Sequence, residues 1–290
     1  MSAGYIDVPG GRVWYERLGR GSQTPVLTLH GGPGAAHYYI RPFAEALAET
    51  RPVILYDQLG CGLSEKPDDP SLWTFDRSLM ELNDVRDALG LDHCHLFGQS
   101  WGGWLAIEYL CGGAEGIEKV VLASTSASIK QFTGEARRLI EQLPEPHRTA
   151  LIDGGKRGEY DTPVYQTAVM EFYKRHLCRL DPWPEAMVKT AEELDGNQVY
   201  LTMNGPTEFD VIGAALRNWD RTADLGKITR PTLVTCGRYD EITPACSETI
   251  TAGIADARMV VFEHSAHVAH LEETPAYTAE VVAFLDARLS

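Results

Sequence analysis

The sequence predicts an α/β protein, with a mostly parallel central sheet flanked by helices and a helical subdomain inserted into it. Three observations point there. Short apolar runs alternate with segments of helical periodicity. Between about residues 126 and 222 that rhythm gives way to a mostly helical stretch, after which it resumes. A serine between glycines stands where one apolar run meets a helical segment.

In chain order, Arg12 to Glu16, with Val13, Trp14 and Tyr15 between two charged residues, reads as a strand. Pro25 to Leu29 and Val53 to Tyr56 are short apolar runs of the kind buried between two layers of helices. Tyr38 to Glu49 carries Ile40, Phe43 and Leu47 at helical spacing, and Leu79 to Leu89 repeats the pattern. A strand at His95 to Phe97, a helix from Trp101 to Leu110 and a strand at Lys119 to Ala123 continue the series. Strands at Thr232 to Cys236 and Met259 to Phe262 and a helix over Thr274 to Leu289 complete it. The intervening block is punctuated by Pro144, Pro146, Pro163, Pro182, Pro184 and Pro206. The expected division is therefore a core of residues 1–125 and 223–290 with a helical cap at 126–222.

At 290 residues the chain is long enough for one large core carrying an insertion. Met1 to Gly10 has neither a basic start nor an apolar run, and no apolar stretch is long enough to span a bilayer, so a cytoplasmic protein is expected. The six cysteines are scattered without close pairs, which favours free thiols over a disulfide framework or a metal site. A net charge of −15 with no basic block argues against a nucleic-acid partner and is compatible with a cationic small substrate.

Gly98-Gln99-Ser100-Trp101-Gly102 fits the GxSxG pattern, in which a sharp strand-to-helix turn lifts a serine hydroxyl into the open. A plain Gly/Ser turn has the same letters; the strand before it and the helix after it favour a nucleophile. A serine needs a base to take its proton and an acid to hold that base, and in proteins with this elbow they follow in the order Ser, Asp or Glu, His. Asp240, in the loop after Thr232 to Cys236, is the expected acid, with Glu241 as its rival. Asp57 also follows a strand but precedes Ser100, so bracing its own loop is the expected role. Three histidines follow the last strand, of which His267 is the expected base; His264 and His270 read as surface or packing residues. The three need not share a face, so no metal is expected. His30-Gly31-Gly32-Pro33-Gly34 follows the strand ending at Leu29, and its backbone can supply one oxyanion donor, Gly32 N–H, the other being Trp101 N–H. The loop lacks the lysine of a phosphate-binding loop.

With these motifs together the sequence resembles the proline iminopeptidase family of α/β-hydrolases, and most closely its tricorn-interacting aminopeptidase branch. The likeness rests on HGGPG at 30–34, YDQLGCGLSE at 56–65, GQSWGG at 98–103, MNGPTEF at 203–209 and GRYDEITP at 237–244. It implies that Glu208 and Glu241 recognise the free α-amino group of a substrate; carboxylates are suited to this because they accept charge-assisted hydrogen bonds from an ammonium. Gln99, Gly103 and Arg238 depart from the commonest family pattern. They leave the preference for proline open. Tyr38, Trp101, Phe172, Tyr173, Trp183 and Tyr200 are candidates to line the acyl pocket, although packing between cap and core is the default for most of them.

The expected reaction is hydrolysis of the amide after an N-terminal residue through an acyl-enzyme, with no cofactor. The expected partner is a short peptide or an aminoacyl amide. An amidase that trims an aminoacyl group from a small molecule is the alternative. A general esterase, in which the glutamates are incidental, and a non-catalytic receptor on the same fold are weaker readings.

Overall fold

The computed structural model describes residues 2–287. Eight strands form one sheet: β1 (Ser2–Val8), β2 (Gly11–Leu18), β3 (Val26–Leu29), β4 (Val53–Tyr56), β5 (Cys94–Gln99), β6 (Ile117–Ala123), β7 (Thr232–Gly237) and β8 (Ala257–Phe262). Their spatial order is β1-β2-β4-β3-β5-β6-β7-β8. The two pairings made by β2 are antiparallel and all others are parallel. Every residue of β3, β4, β5 and β7 is buried, because helices cover both faces of the sheet centre.

On one face, α1 (Arg41–Leu47) and α11 (Thr274–Asp286) pack Phe43 and Tyr277 against Phe97 of β5, with ring centroids 4.8 to 6.4 Å apart. On the other, α2 (Phe75–Ala88), α3 (Trp101–Cys111) and α9 (Pro244–Gly253) contribute Leu82, Trp104 and Ile250 to a second core with Leu96 and Leu122. Between β6 and β7 lie α4 (Ile129–Glu141), α5 (His147–Arg157), α6 (Pro163–His176), α7 (Glu185–Leu194) and α8 (Gln198–Met203). A short α10 (Ala269–Glu272) follows the last loop.

Several elements differ from the sequence reading for identifiable reasons. The patterning does not reveal β1, an edge strand that keeps most of its side chains in solvent. Helix α1 begins at Arg41 rather than Tyr38, since the N–H groups of Ile40 and Arg41 both turn back to the His37 carbonyl and Pro42 fits only a first turn. Helix α2 starts at Phe75 rather than Leu79 because the Thr74 hydroxyl accepts the Arg77 N–H, a cap that apolar spacing does not register. Helix α11 ends at Asp286; Leu289, the expected end, lies outside the described residues.

Candidate active site

The parallel order brings the C-terminal ends of β3, β5, β7 and β8 to one edge of the sheet, and each of the loops leaving them carries one part of the site. Ser100 stands between β5 and α3 with φ 54° and ψ −119°, a conformation costly for a residue with a Cβ by about 1–3 kcal/mol. The turn closes because its glycines permit contact that no side chain allows: a Cβ on Gly98 would lie 2.5 Å from the Gly102 oxygen, and one on Gly102 would lie 2.0 Å from the Leu29 oxygen. Gly103 is fixed in the same way, since a Cβ there would meet Thr125 Oγ1 at 2.5 Å. Strain at one serine is thus sustained by tight packing of the strand-helix corner.

Asp240 and His267 arrive on the loops after β7 and β8. His267 Nδ1–H donates to Asp240 Oδ1 at 2.8 Å, and the same oxygen accepts the Ile242 N–H at 2.9 Å. This leaves Nε2 as the atom available to take a proton. The rival carboxylate occupies the other side of the ring, with Glu241 Oε1 3.9 Å from His267 Nε2. Glu241 is fully buried, and neither of its carboxylate oxygens has a hydrogen-bond partner. Burial, together with the neighbouring Glu208 and Asp240, pushes the Glu241 carboxyl well above the usual range, against the pull of His267. Glu208, partly exposed on the segment after α8, is also raised by desolvation, against His267 and the Tyr200 hydroxyl. Burial alone would strip His267 of its proton, but Asp240, Glu241 and Glu208 outweigh it and hold the imidazole up at about 9.

The glycine loop abuts Ser100, for a Cβ added to Gly31 would come within 3.1 Å of Ser100 Cβ. Among the described residues no backbone carbonyl takes the N–H of Gly32 or that of Trp101. Both donors are therefore free to meet developing negative charge.

Three supporting residues lie outside the sequence reading of the site. Gln58 accepts the Trp101 Nε1–H at 2.8 Å and donates to the His30 carbonyl at 3.2 Å, joining the helix start to the glycine loop. Tyr39 and Gln99 make a second bridge, from Gly31 to the His267 carbonyl. The sequence signals only one of them, Gln99, and then only as a departure from the family pattern.

The segment between β6 and β7 meets this arrangement through its backbone. The Glu241 N–H donates to the His176 carbonyl and the His267 N–H to the Leu177 carbonyl, each at 3.1 Å. Burial raises the Tyr173 and Tyr200 phenols, and the negative charge of Glu208 and Glu241 adds to the rise. Trp101 and Phe172 have no exposed surface and belong to the packed core, whereas Tyr38 lies under Lys189 at 4.1 Å. His264 is exposed, and His270 is buried among Tyr39, Phe43, Phe97 and Tyr277. Arg238 turns outward to Glu263, so its charge does not enter the site. Asp57 accepts the Leu63 N–H within its own loop, and it also accepts the N–H and the Nδ1–H of His37 from the segment between β3 and α1, so it ties two loops together.

Residues 24–274 match the α/β-hydrolase fold family. The chain is 39% identical to a proline iminopeptidase of Saccharolobus solfataricus, over 99% of this chain and 93% of that one. The solved proline iminopeptidase of Mycobacterium smegmatis superposes with a TM-score of 0.91 at 34% identity, covering 98% of this chain and 97% of the other. The solved structure of VinJ gives a TM-score of 0.94 at 36% identity, covering 98% of each chain.

Proposed function

Since the chain belongs to the proline iminopeptidase family of α/β-hydrolases, we propose that its prolyl aminopeptidase activity is carried by Ser100, Asp240 and His267, with Glu208 and Glu241 as the seat of the substrate's ammonium. The protein is a serine aminopeptidase: it hydrolyses the amide bond that follows an N-terminal residue with a free amine. The observation that carries the residue assignment is the buried, unpartnered carboxylate of Glu241 beside His267 Nε2. A buried acid without hydrogen bonds is costly unless a ligand completes it, and a protonated amine supplies both charge and donors.

In this reading the ammonium docks between Glu208 and Glu241, and the scissile carbonyl is thereby held at a fixed distance from it, against Ser100. His267 Nε2 takes the serine proton as Oγ attacks, while Gly32 and Trp101 N–H groups stabilise the oxyanion. His267 then passes that proton to the departing amine. Water, deprotonated by the same nitrogen, attacks the acyl-enzyme and releases the amino acid. Asp240 keeps the ring oriented throughout.

Docking of the ammonium also acts on the base. In the free protein the acidic neighbours favour the imidazolium, the form that cannot accept the Ser100 proton. A cation placed between the glutamates cancels that stabilisation and frees Nε2. The substrate's own charge thus prepares the base that cleaves it.

A fluorophosphonate probe, which traps nucleophilic serines, tests the assignment. Mass spectrometry is expected to find the adduct on the peptide containing Ser100, with none on Ser100→Ala, and slower labelling in the presence of prolinamide. Labelling elsewhere, or labelling indifferent to prolinamide, would count against the nucleophile or the ammonium seat respectively.

A further inference from the structure

We propose that Gln99 is a positioning residue, whose side-chain amide ties the base loop and the oxyanion loop to the nucleophile elbow and so sets the distances on which the reaction depends. The inference rests on the reading of Ser100 and His267 given above.

Gln99 is the last residue of β5 and is 1% exposed. Its Nε2 donates to the His267 carbonyl at 3.2 Å. Its Oε1 accepts the Tyr39 hydroxyl, and that hydroxyl in turn accepts the Gly31 N–H at 2.7 Å. One side chain therefore joins three loops: the elbow from which it springs, the loop that carries His267 and the loop that carries Gly32. The amide has only one workable orientation, since turning it over would set its oxygen against the His267 carbonyl. Burial raises the Tyr39 phenol, which stays neutral and remains a donor to Gln99.

The grip on the base is two-sided. Gln99 holds the carbonyl of His267, and the Leu177 carbonyl holds its N–H at 3.1 Å. The Asp240 contact fixes the rotation of the imidazole about its own bonds, but the backbone that carries the ring is located by Gln99 on one side and the cap on the other. A shift of that backbone moves Nε2 relative to Ser100 without breaking the Asp240 hydrogen bond. Displacements of about 1 Å in such geometry reduce rates by on the order of 100-fold.

The test uses Gln99→Leu, which keeps approximate volume and removes both hydrogen bonds, and Tyr39→Phe, which removes a single oxygen and so spares the fold if the first variant does not. Each is assayed on a prolyl arylamide beside Ser100→Ala. Both variants are expected to lower kcat by about 10- to 100-fold with KM changed less than about threefold, because orientation is lost and ammonium binding is not. In the double variant kcat is expected to fall no further than in the weaker single variant, since both substitutions cut the same bridge. A folded Gln99→Leu or Tyr39→Phe with kcat within about twofold of wild type would overturn the proposal, as would a loss confined to thermal stability or to KM. Activity surviving in Ser100→Ala would instead sink the catalytic reading on which it rests.

Discussion

With Nδ1 bonded to Asp240 and Nε2 3.9 Å from Glu241, His267 lies between two carboxyl groups, with Glu208 as a third acidic neighbour. Its proton affinity is the sum of these charges working against burial, with a value of about 9. Burial holds the His270 imidazole down at about 3, so it contributes no competing charge near pH 7. Because a base must be unprotonated to act, reactivity of Ser100 in the free enzyme is expected to rise as pH increases through about 9. Glu241→Gln removes one of the charges that stabilise the imidazolium, and the rise then moves to lower pH. The rate of fluorophosphonate inactivation against pH reads this directly, since the probe carries no amine to dock between the glutamates. An acid limb that stays in place or moves upward in Glu241→Gln would show that Glu241 does not set the state of the base. The same substitution weakens binding of free-amine substrates, so probe reactivity and peptidase activity at neutral pH are expected to change in opposite directions.

Helix α11, which closes the sheet on one face, owes its C-terminal anchorage to a lysine in the middle of the sheet. Lys119 on β6 is 5% exposed, and its Nζ donates to the carbonyls of Phe284 at 2.9 Å, Leu285 at 3.0 Å and Ala287. The last carbonyls of a helix have no intrahelical partners, and a cation there meets both their hydrogen-bonding capacity and the helix dipole. Lys119→Met leaves these carbonyls without their cation and is expected to cost about 2–3 kcal/mol, read as a lower urea midpoint at unchanged slope. Turnover per folded molecule should be retained, because α11 carries no part of the site; an unchanged midpoint would mean that water replaces the lysine. Local elements of this chain differ in how legible they are. The β5–Ser100–α3 corner is plain in the sequence, since an apolar run, two obligatory glycines and a helical period occur within a few residues. Strand ends and chain order point to the loops that carry Asp240 and His267, but they leave Glu241 and two further histidines as rivals on the same loops. Helix starts set by the Thr74 cap or by Pro42 are not legible in apolar spacing, which carries no information about caps or first-turn prolines. The Gln99–Tyr39–His267 bridge was invisible for a different reason: its members are 60 and 168 residues apart, and its last acceptor is a backbone carbonyl that every residue possesses.

Across the whole molecule, cap and core meet at the site through two sets of contacts. The carbonyls of His176 and Leu177, at the end of α6, hold the Glu241 and His267 backbones. On the α7–α8 side, Asn197 caps α8 through Val199 and Tyr200 while donating to the Gly60 carbonyl at 3.1 Å, and Glu193 accepts the Gly62 N–H at 2.7 Å. The segment between β6 and β7 thereby helps to build the site, and it brings Glu208 near Glu241. A site in which Ser100, Asp240, Glu241 and His267 are each no more than 5% exposed admits the end of a chain far more readily than its middle. The acidic balance of the molecule, −15 overall, is in keeping with a substrate that presents a cation first. The central claim is that this cation, read by Glu208 and Glu241, determines which amide meets Ser100. The most direct measurement compares kcat/KM for a prolyl arylamide and its N-acetylated form, with wild type, Ser100→Ala and Glu208→Ala. Cleavage of the free-amine substrate alone, lost in Ser100→Ala and strongly reduced in Glu208→Ala, is the predicted result. Equal cleavage of the acetylated substrate by wild type, or full activity in Glu208→Ala, would contradict it.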